Sequence, residues 1–384
     1  MQKNIVTPNK MRSRILFVSH TADWTGPTSS LMLLLERLHE RYDLAVLLPG
    51  WGGFSDALVD KKIIFHSFSS MDKFEIPAMT RLIKRERIDL VYGNGRNGIS
   101  RNAMIASKFA RVPFICHVRE MEWGDSWRIS GFLAFSDATI AVSKACAIAI
   151  SRFVPPRKLH VVYNGISLSN EPTPVSSARS NFRKELGLSI EDLIIINSGR
   201  FIPAKGQEYA VQAMVQIVKS IPTARLIFVG SFDSNSEERL YAERVREIVE
   251  DLNLHKHVFI LGFRNDVRDL MAGADMFLHT SIKDAHPRSV IEAMDTGLPV
   301  VAFAVDGVVE TVLDGETGYL VDQGDVAGMG DAVVRLLANP DLCRQMGMQA
   351  RQRVQTHFSV DQTAEQVDAV INRVLAGKKE RAKN

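Results

Sequence analysis

At 384 residues the chain exceeds what one core usually organises, so two domains are expected. A hydrophobic share of 46% and a charged share of 24% are ordinary for a globular chain, and no apolar run approaches the roughly 18 residues of a membrane span. The net charge of +3 hides an asymmetry, because residues 1–165 carry 23 Lys and Arg against 14 Asp and Glu while the remainder carries 24 against 30. Short apolar strands alternate with amphipathic helices, which predicts an α/β fold with parallel sheets. Strands are expected at 15–18, 44–48, 90–92, 114–118, 138–142 and 161–163, with a turn-rich loop over 21–30 and helices over 31–39 and 76–86. Residues 167–180, rich in Ser and Pro and without periodicity, read as the linker between domains spanning 1–166 and 181–359. The second domain repeats the alternation, with strands at 193–196, 225–230, 258–262, 276–279, 300–302 and 318–321 and helices over 206–220, 235–252 and 289–296. Helices over 340–356 and 360–375 follow, and residues 376–384 read as a disordered tail.

Cys116, Cys146 and Cys343 are widely spaced, with neither metal-ligand spacing nor a disulfide framework. Together with the polar first ten residues, which lack a signal-peptide core, they point to a reducing cytoplasm. The basic first half suits an anionic surface, and peripheral contact with the inner membrane face is an expectation. No nucleic-acid partner is expected.

The residues that carry chemistry fall at strand ends and helix starts. In Asp284-Ala-His-Pro-Arg-Ser-Val-Ile-Glu292 one carboxylate sits in a loop and the other inside the following helix. A helix start attracts phosphate, so the amides of Arg288, Ser289 and Val290 become candidate phosphate donors. Glu292 is placed to accept from two vicinal hydroxyls, as on a ribose. Upstream, Gly199-Arg200-Phe-Ile-Pro-Ala-Lys205-Gly206 supplies two cations on a strand-to-helix loop. Preplaced Arg and Lys stabilise the charge that builds on a departing diphosphate. His117 ends a strand, and Gly26, between the first strand and first helix, permits close approach of a phosphate or sugar. There is no D-x-D and no His/Cys cluster, so neither a metal nor another cofactor is expected. Carboxylates for hydroxyls and cations for a diphosphate are the parts a nucleotide-sugar transferase needs.

With these motifs in view, the chain resembles the retaining GT-B glycosyltransferases of family 4, the glycosyl transferases group 1. The resemblance covers nearly the whole length and is strongest over 197–321. The family's E-x7-E element is similar to Asp284…Glu292, with Asp in place of the first Glu, and its G-R-x4-K-G loop to Gly199…Gly206. Gly262-Phe263, Ala274-Asp275, Gly307…Glu310, Ser143-Lys144 and Asn164-Gly165-Ile166 match further landmarks. The resemblance implies two Rossmann-like doubly wound domains facing across a cleft, the nucleotide on the second and the acceptor on the first. It implies that helix 360–375 crosses back to the first domain. Glu292 would hold the ribose, Arg200 and Lys205 the diphosphate, and Asp284 and His117 the donor sugar, with backbone near Arg264 beside the base. The expected activity is transfer of a sugar, with retained configuration, from a nucleotide-diphosphate sugar, with UDP the expected nucleotide, to a hydroxyl of a glycan or lipid-linked acceptor. Trp123 and Trp127 are candidates to stack on an acceptor sugar. Two departures stand out: Asp284-Ala-His-Pro replaces a glycine-rich E-G-F-G or E-G-F-P loop, and Gly26-Pro27 replaces Gly-Gly. A nucleotide-sugar epimerase of the same fold and a non-catalytic sugar-nucleotide-binding protein are the alternatives.

Overall fold

The computed structural model describes residues 12–70, 72–95, 97–121, 130–169, 182–232 and 235–381. Trp123, Trp127 and most of the expected linker lie outside these residues. The chain forms two units. One comprises Met1–Val142, Ala147–Val162 and Thr363–Asn384; the other comprises Ser143–Cys146 and Tyr163–Gln362.

The first unit holds a parallel sheet of seven strands: β1 Arg14–Ser19, β2 Asp43–Pro49, β3 Ile64–Phe68, β4 Leu90–Asn94, β5 Phe114–Val118, β6 Ala138–Ala141 and β7 Leu159–Val161. Their order is β3-β2-β1-β4-β5-β6-β7. The central strands are continuous apolar runs because helices cover both faces of such a sheet. Ile15, Leu16, Phe17 and Val18 of β1 are all buried. β3 lacks this signal; it is an edge strand whose residues are all exposed or half-buried without alternation, which is why periodicity does not reveal it.

The first helix spans Gly26–Leu38 and so occupies part of the expected loop over 21–30. Capping overrides the Gly-Pro breaker signal here. Thr25 N donates to Thr28 Oγ1 at 2.7 Å, Thr28 N donates back to Thr25 Oγ1 at 3.4 Å, and Pro27 stands in the first turn, where its missing N–H costs nothing.

The last helix, Val360–Arg381, runs through residues expected to be disordered. Ala364, Val367, Ile371 and Leu375 recur at helical spacing and are buried in the first unit's core. Beyond them Lys378 Nζ donates to Asp89 O at 3.3 Å, which holds the helix past residue 375. Arg41 pairs with Asp368 at 2.8 Å and Tyr42 Oη donates to the same carboxylate at 2.6 Å.

The second unit holds a parallel sheet of six strands: β8 Leu193–Ser198, β9 Ala224–Val229, β10 Val258–Ile260, β11 Met276–His279, β12 Val300–Phe303 and β13 Gly318–Val321. Their order is β10-β9-β8-β11-β12-β13. The chain joins this unit at Tyr163, ahead of the expected boundary at 166. Ile166 is buried in its core and donates its amide to Phe358 O at 2.9 Å, while Asn164 Nδ2 donates to His286 O at 3.1 Å. Among the described residues no helix is long and apolar enough to cross a membrane.

Candidate active site

In an open parallel sheet, ligands bind beyond the carboxyl ends of the strands where the strand order reverses. The reversal falls between β8 and β11 in the second unit and between β1 and β4 in the first. The expected site residues follow these strands.

In the second unit the loop after β8 is tied to the loop after β11. Ile282 N donates to Ala204 O at 3.0 Å, and Thr280 Oγ1 to Lys205 O at 3.1 Å. Gly206 makes the approach possible. Its φ is +61°, and a Cβ there would lie 2.3 Å from Thr280 O. A Cβ at Gly199 would lie 3.7 Å from Lys205 Cδ, so the lysine stem passes close by this glycine. Its Nζ reaches Asp284 Oδ2 at 2.6 Å. The Asp284 backbone is pinned as well, since its N–H donates to Asp306 Oδ2 at 3.0 Å and its carbonyl accepts from Gly307 N at 3.1 Å. His279 Nε2 stands 3.5 Å from the same Asp284 oxygen. Burial alone would raise the Asp284 pKa, but the Lys205 charge and His279 outweigh it and hold the carboxyl far below the usual carboxylate range.

Arg200 does not join that pair. It is 53% exposed and its Nη1 lies 3.5 Å from Oε1 of the buried Glu238. Its backbone is fixed by Gln207 Nε2, which donates to Arg200 O at 3.0 Å. The contact is long and single, and the side chain keeps half of its surface open to solvent. Glu292 stands inside the helix Arg288–Asp295 and pairs with Arg288 Nη2 at 2.9 Å. Pro287 is the N-cap residue of this helix, and the amides of Arg288, Ser289 and Val290 precede its first i→i−4 donor, Ile291 N, which donates to Pro287 O at 3.3 Å. The Arg264 side chain is held by Asp266 at 2.7 Å and Glu185 at 2.5 Å.

In the first unit His117 and Gly26 flank the reversal point. Gly26 is exposed at the start of its helix, and a Cβ there would meet nothing within 4 Å. His117 is buried on β5. Its Nδ1 lies 2.6 Å from Tyr92 Oη and 3.2 Å from Arg119 Nη2. Arginine only donates, so Nδ1 accepts and the ring proton resides on Nε2. That Nε2 is buried and has no partner among the described residues, which leaves its N–H as an unsatisfied donor. Burial first, then the Arg119 charge, drive the ring pKa well below its ordinary value and keep it neutral. Arg119 is positioned by Asn94 Oδ1 at 2.6 Å, and Asn94 Nδ2 in turn donates to Pro27 O at 3.2 Å, next to Gly26.

Sequence reasoning left three second-unit residues out. His279 braces Asp284 from the end of β11. His286 is buried, stacks on Tyr163 at 5.1 Å and meets Phe358 at 5.3 Å, with neither ring nitrogen partnered among the described residues. Burial drives its ring pKa down to about 3; the Asp284 charge opposes this and Arg353 assists. Ser281 Oγ is also buried without a partner there. The histidines were visible as neighbours of Asp284, but no motif marks a bracing role.

The family profile described as Glycosyl transferases group 1 matches residues 178–353, and that of Glycosyltransferase Family 4 matches residues 24–170. The alpha-maltose-1-phosphate synthase of Mycolicibacterium smegmatis is 30% identical over 268 residues, 65% of this chain and 67% of that one. The chain belongs to the glycosyl transferases group 1. The N-acetyl-alpha-D-glucosaminyl L-malate synthase of Bacillus anthracis is 30% identical over 241 residues, 62% of this chain and 60% of that enzyme's length. The crystal structure of Anabaena HepE in complex with UDP is 24% identical and shares the fold, with a TM-score of 0.83 over 94% of this chain and 100% of that one. As a group 1 glycosyltransferase of the GT-B fold class, the protein is an enzyme. Its loops after β8 and β11 carry Arg200, Lys205 and Asp284, and the helix that follows the second loop carries Glu292.

Proposed function

We propose that the protein transfers a hexosyl group from a nucleotide diphosphate sugar, with UDP the expected nucleotide, to a hydroxyl of a glycan or lipid-linked acceptor. The observation that carries this reading is the Lys205–Asp284 pair beside the helix start at Arg288, on the loops at the reversal point. A UDP-bound structural neighbour supports the choice of nucleotide. The bond from C1 of the sugar to the diphosphate breaks, and Arg200, Lys205 and the Arg288–Val290 amides receive the charge that develops. The acceptor oxygen bonds to C1 on the same face, retaining configuration, and its proton passes to the departing phosphate. No metal takes part in this scheme. Glu292 accepts from the ribose hydroxyls, Asp284 from the sugar, His117 Nε2–H donates to a substrate hydroxyl, and Gly26 admits the substrate to the backbone.

Residues 73–111 hold nine Lys and Arg against Glu75, Glu86 and Asp89. Arg81, Lys84, Arg87, Arg101 and Arg111 are exposed and have no acidic partner among the described residues. This surface supports peripheral contact with an anionic membrane, and salt-sensitive binding to anionic vesicles is the expected result.

The enzymatic reading is tested by release of UDP from UDP-sugars with and without a glycan acceptor. Replacing both Arg200 and Lys205 by Ala should lower turnover by on the order of a thousandfold or more. Undiminished turnover in that double variant would remove the proposed roles of these cations, and conversion of a UDP-sugar without acceptor would favour an epimerase.

A further inference from the structure

Two indole side chains stand exposed at the carboxyl edge of the first unit's sheet, and the reaction above does not use them. Trp24, on the loop after β1, is 48% exposed, and Trp51, on the loop after β2, is 66% exposed. β1 and β2 are hydrogen-bonded neighbours, so the two loops lie side by side. They are locked together: Phe54 N donates to Ala22 O at 2.8 Å, and a Cβ at Gly52 would lie 2.3 Å from Asp23 Oδ1 and 2.8 Å from Ala22 O. Each indole is braced by a phenyl ring. Trp24 meets Phe54 at 5.6 Å and 71°, and Trp51 meets Phe65 at 5.2 Å and 67°. Trp51 Nε1 also donates to Asp56 Oδ1 at 2.5 Å. Exposed aromatic surface that is already rigid loses little conformational freedom when a ligand covers it.

The surrounding charge selects the ligand. Residues 21–28 and 49–60 contain Asp23, Asp56 and Asp60 and no Lys, Arg or His. An anionic lipid face is repelled by such a rim, and it is the helices over 73–111, not these loops, that carry cations. A neutral sugar ring complements the rim on both counts. Its C–H face covers an indole, and its hydroxyls donate to the exposed carboxylates of Asp23 and Asp56. We propose that Trp24 and Trp51 form a platform that binds a neutral hexose unit of the acceptor glycan. This rests on the transferase reading and narrows its acceptor to a glycan held on the first unit, where Trp24 lies two residues before Gly26.

The full chain is titrated by calorimetry with maltohexaose, cellohexaose and mannohexaose. The wild type should bind at least one saturably. Trp51→Ala and Trp24→Ala should each weaken that binding about tenfold, and Trp51→Phe should restore part of it. Circular dichroism and urea midpoints establish that the variants fold. Absence of saturable binding to all three sugars, or binding indifferent to both alanine substitutions, overturns the proposal. So does binding of anionic vesicles that is lost in Trp51→Ala, which assigns the rim to a lipid surface. A parallel UDP titration separates the two claims: Trp-dependent sugar binding without UDP binding keeps the platform and removes the transferase reading.

Discussion

Lys205 Nζ lies 2.6 Å from Asp284 Oδ2, although the two residues are 79 positions apart in the chain. The contact exists because β8 and β11 are neighbours across the point where strand order reverses, so the loops leaving them converge. It keeps a buried carboxylate ionised and an ammonium in place before any substrate arrives. Asp284→Asn and Lys205→Met should each cost about 2–3 kcal/mol of stability in urea unfolding, because each leaves its partner less compensated. The double variant should cost about 1–2 kcal/mol less than the two singles together. Strict additivity would show that the pair is not coupled.

Gly206→Ala should destabilise the second unit by at least about 2 kcal/mol. The left-handed backbone is strained for alanine, and the new methyl would meet Thr280 O at 2.3 Å. The loop must then leave β11 and take Lys205 with it, so turnover should fall further than for a surface substitution. A melting temperature equal to that of the wild type would contradict this account of the loop.

Protonation of His286 sets an acid limit. Its ring pKa is pushed down to about 3 in the fold, whereas in the unfolded chain it titrates near 6.5. Between those values the unfolded chain binds a proton that the native state does not. Stability is therefore full above about pH 6.5 and declines as pH falls towards 3, by about 3 kcal/mol at pH 4. Asp284, with its pKa depressed below 3.8, adds a loss that begins only below about pH 4. His286→Phe should make the upper part of this decline shallower, while the buried rings of His117 and His279, whose pKa values burial also lowers, keep some of it and Asp284 keeps the lower part. Urea unfolding at pH 7, 5.5 and 4 measures both, and identical slopes in wild type and variant would refute the assignment.

Tyr92 Oη, 2.6 Å from His117 Nδ1, is a positioning contact. Tyr92→Phe should lower kcat about threefold to tenfold with little change in unfolding midpoint, since Arg119 still donates to the same nitrogen. His117→Ala should lower it about a hundredfold, because the Nε2–H itself is lost. Equal effects of the two substitutions would indicate a packing role for the ring and no hydrogen bond to substrate.

Glu292→Ala should raise the donor KM about tenfold while changing kcat much less, because ribose contacts are made equally in ground and transition states. A fall confined to kcat would place Glu292 at the reacting centre.

Much of this architecture is legible in the chain. The buried strands announce themselves as runs such as Ile15-Leu-Phe-Val18, and the charged loops after β8 and β11 stand out because they interrupt apolar segments. Where local reading failed, a competing interaction explains it. The cap between Thr25 and Thr28 started a helix through Gly26-Pro27. Core burial of Leu375 and the Lys378–Asp89 contact extended the last helix. Edge strand β3 carried too little apolar periodicity to notice.

Sequence by itself determined the element types, the two-sheet organisation and which loops bear charge, because periodicity and breaker residues act over a few neighbouring positions. Tertiary structure alone decided which charges meet. Arg200 and Lys205 occupy one loop and look equivalent on paper, yet Lys205 turns towards Asp284 while the half-exposed Arg200 points to the buried Glu238. That division depends on a left-handed turn at Gly206 seated against a carbonyl from another strand's loop, and no pattern within the loop encodes where that carbonyl lies.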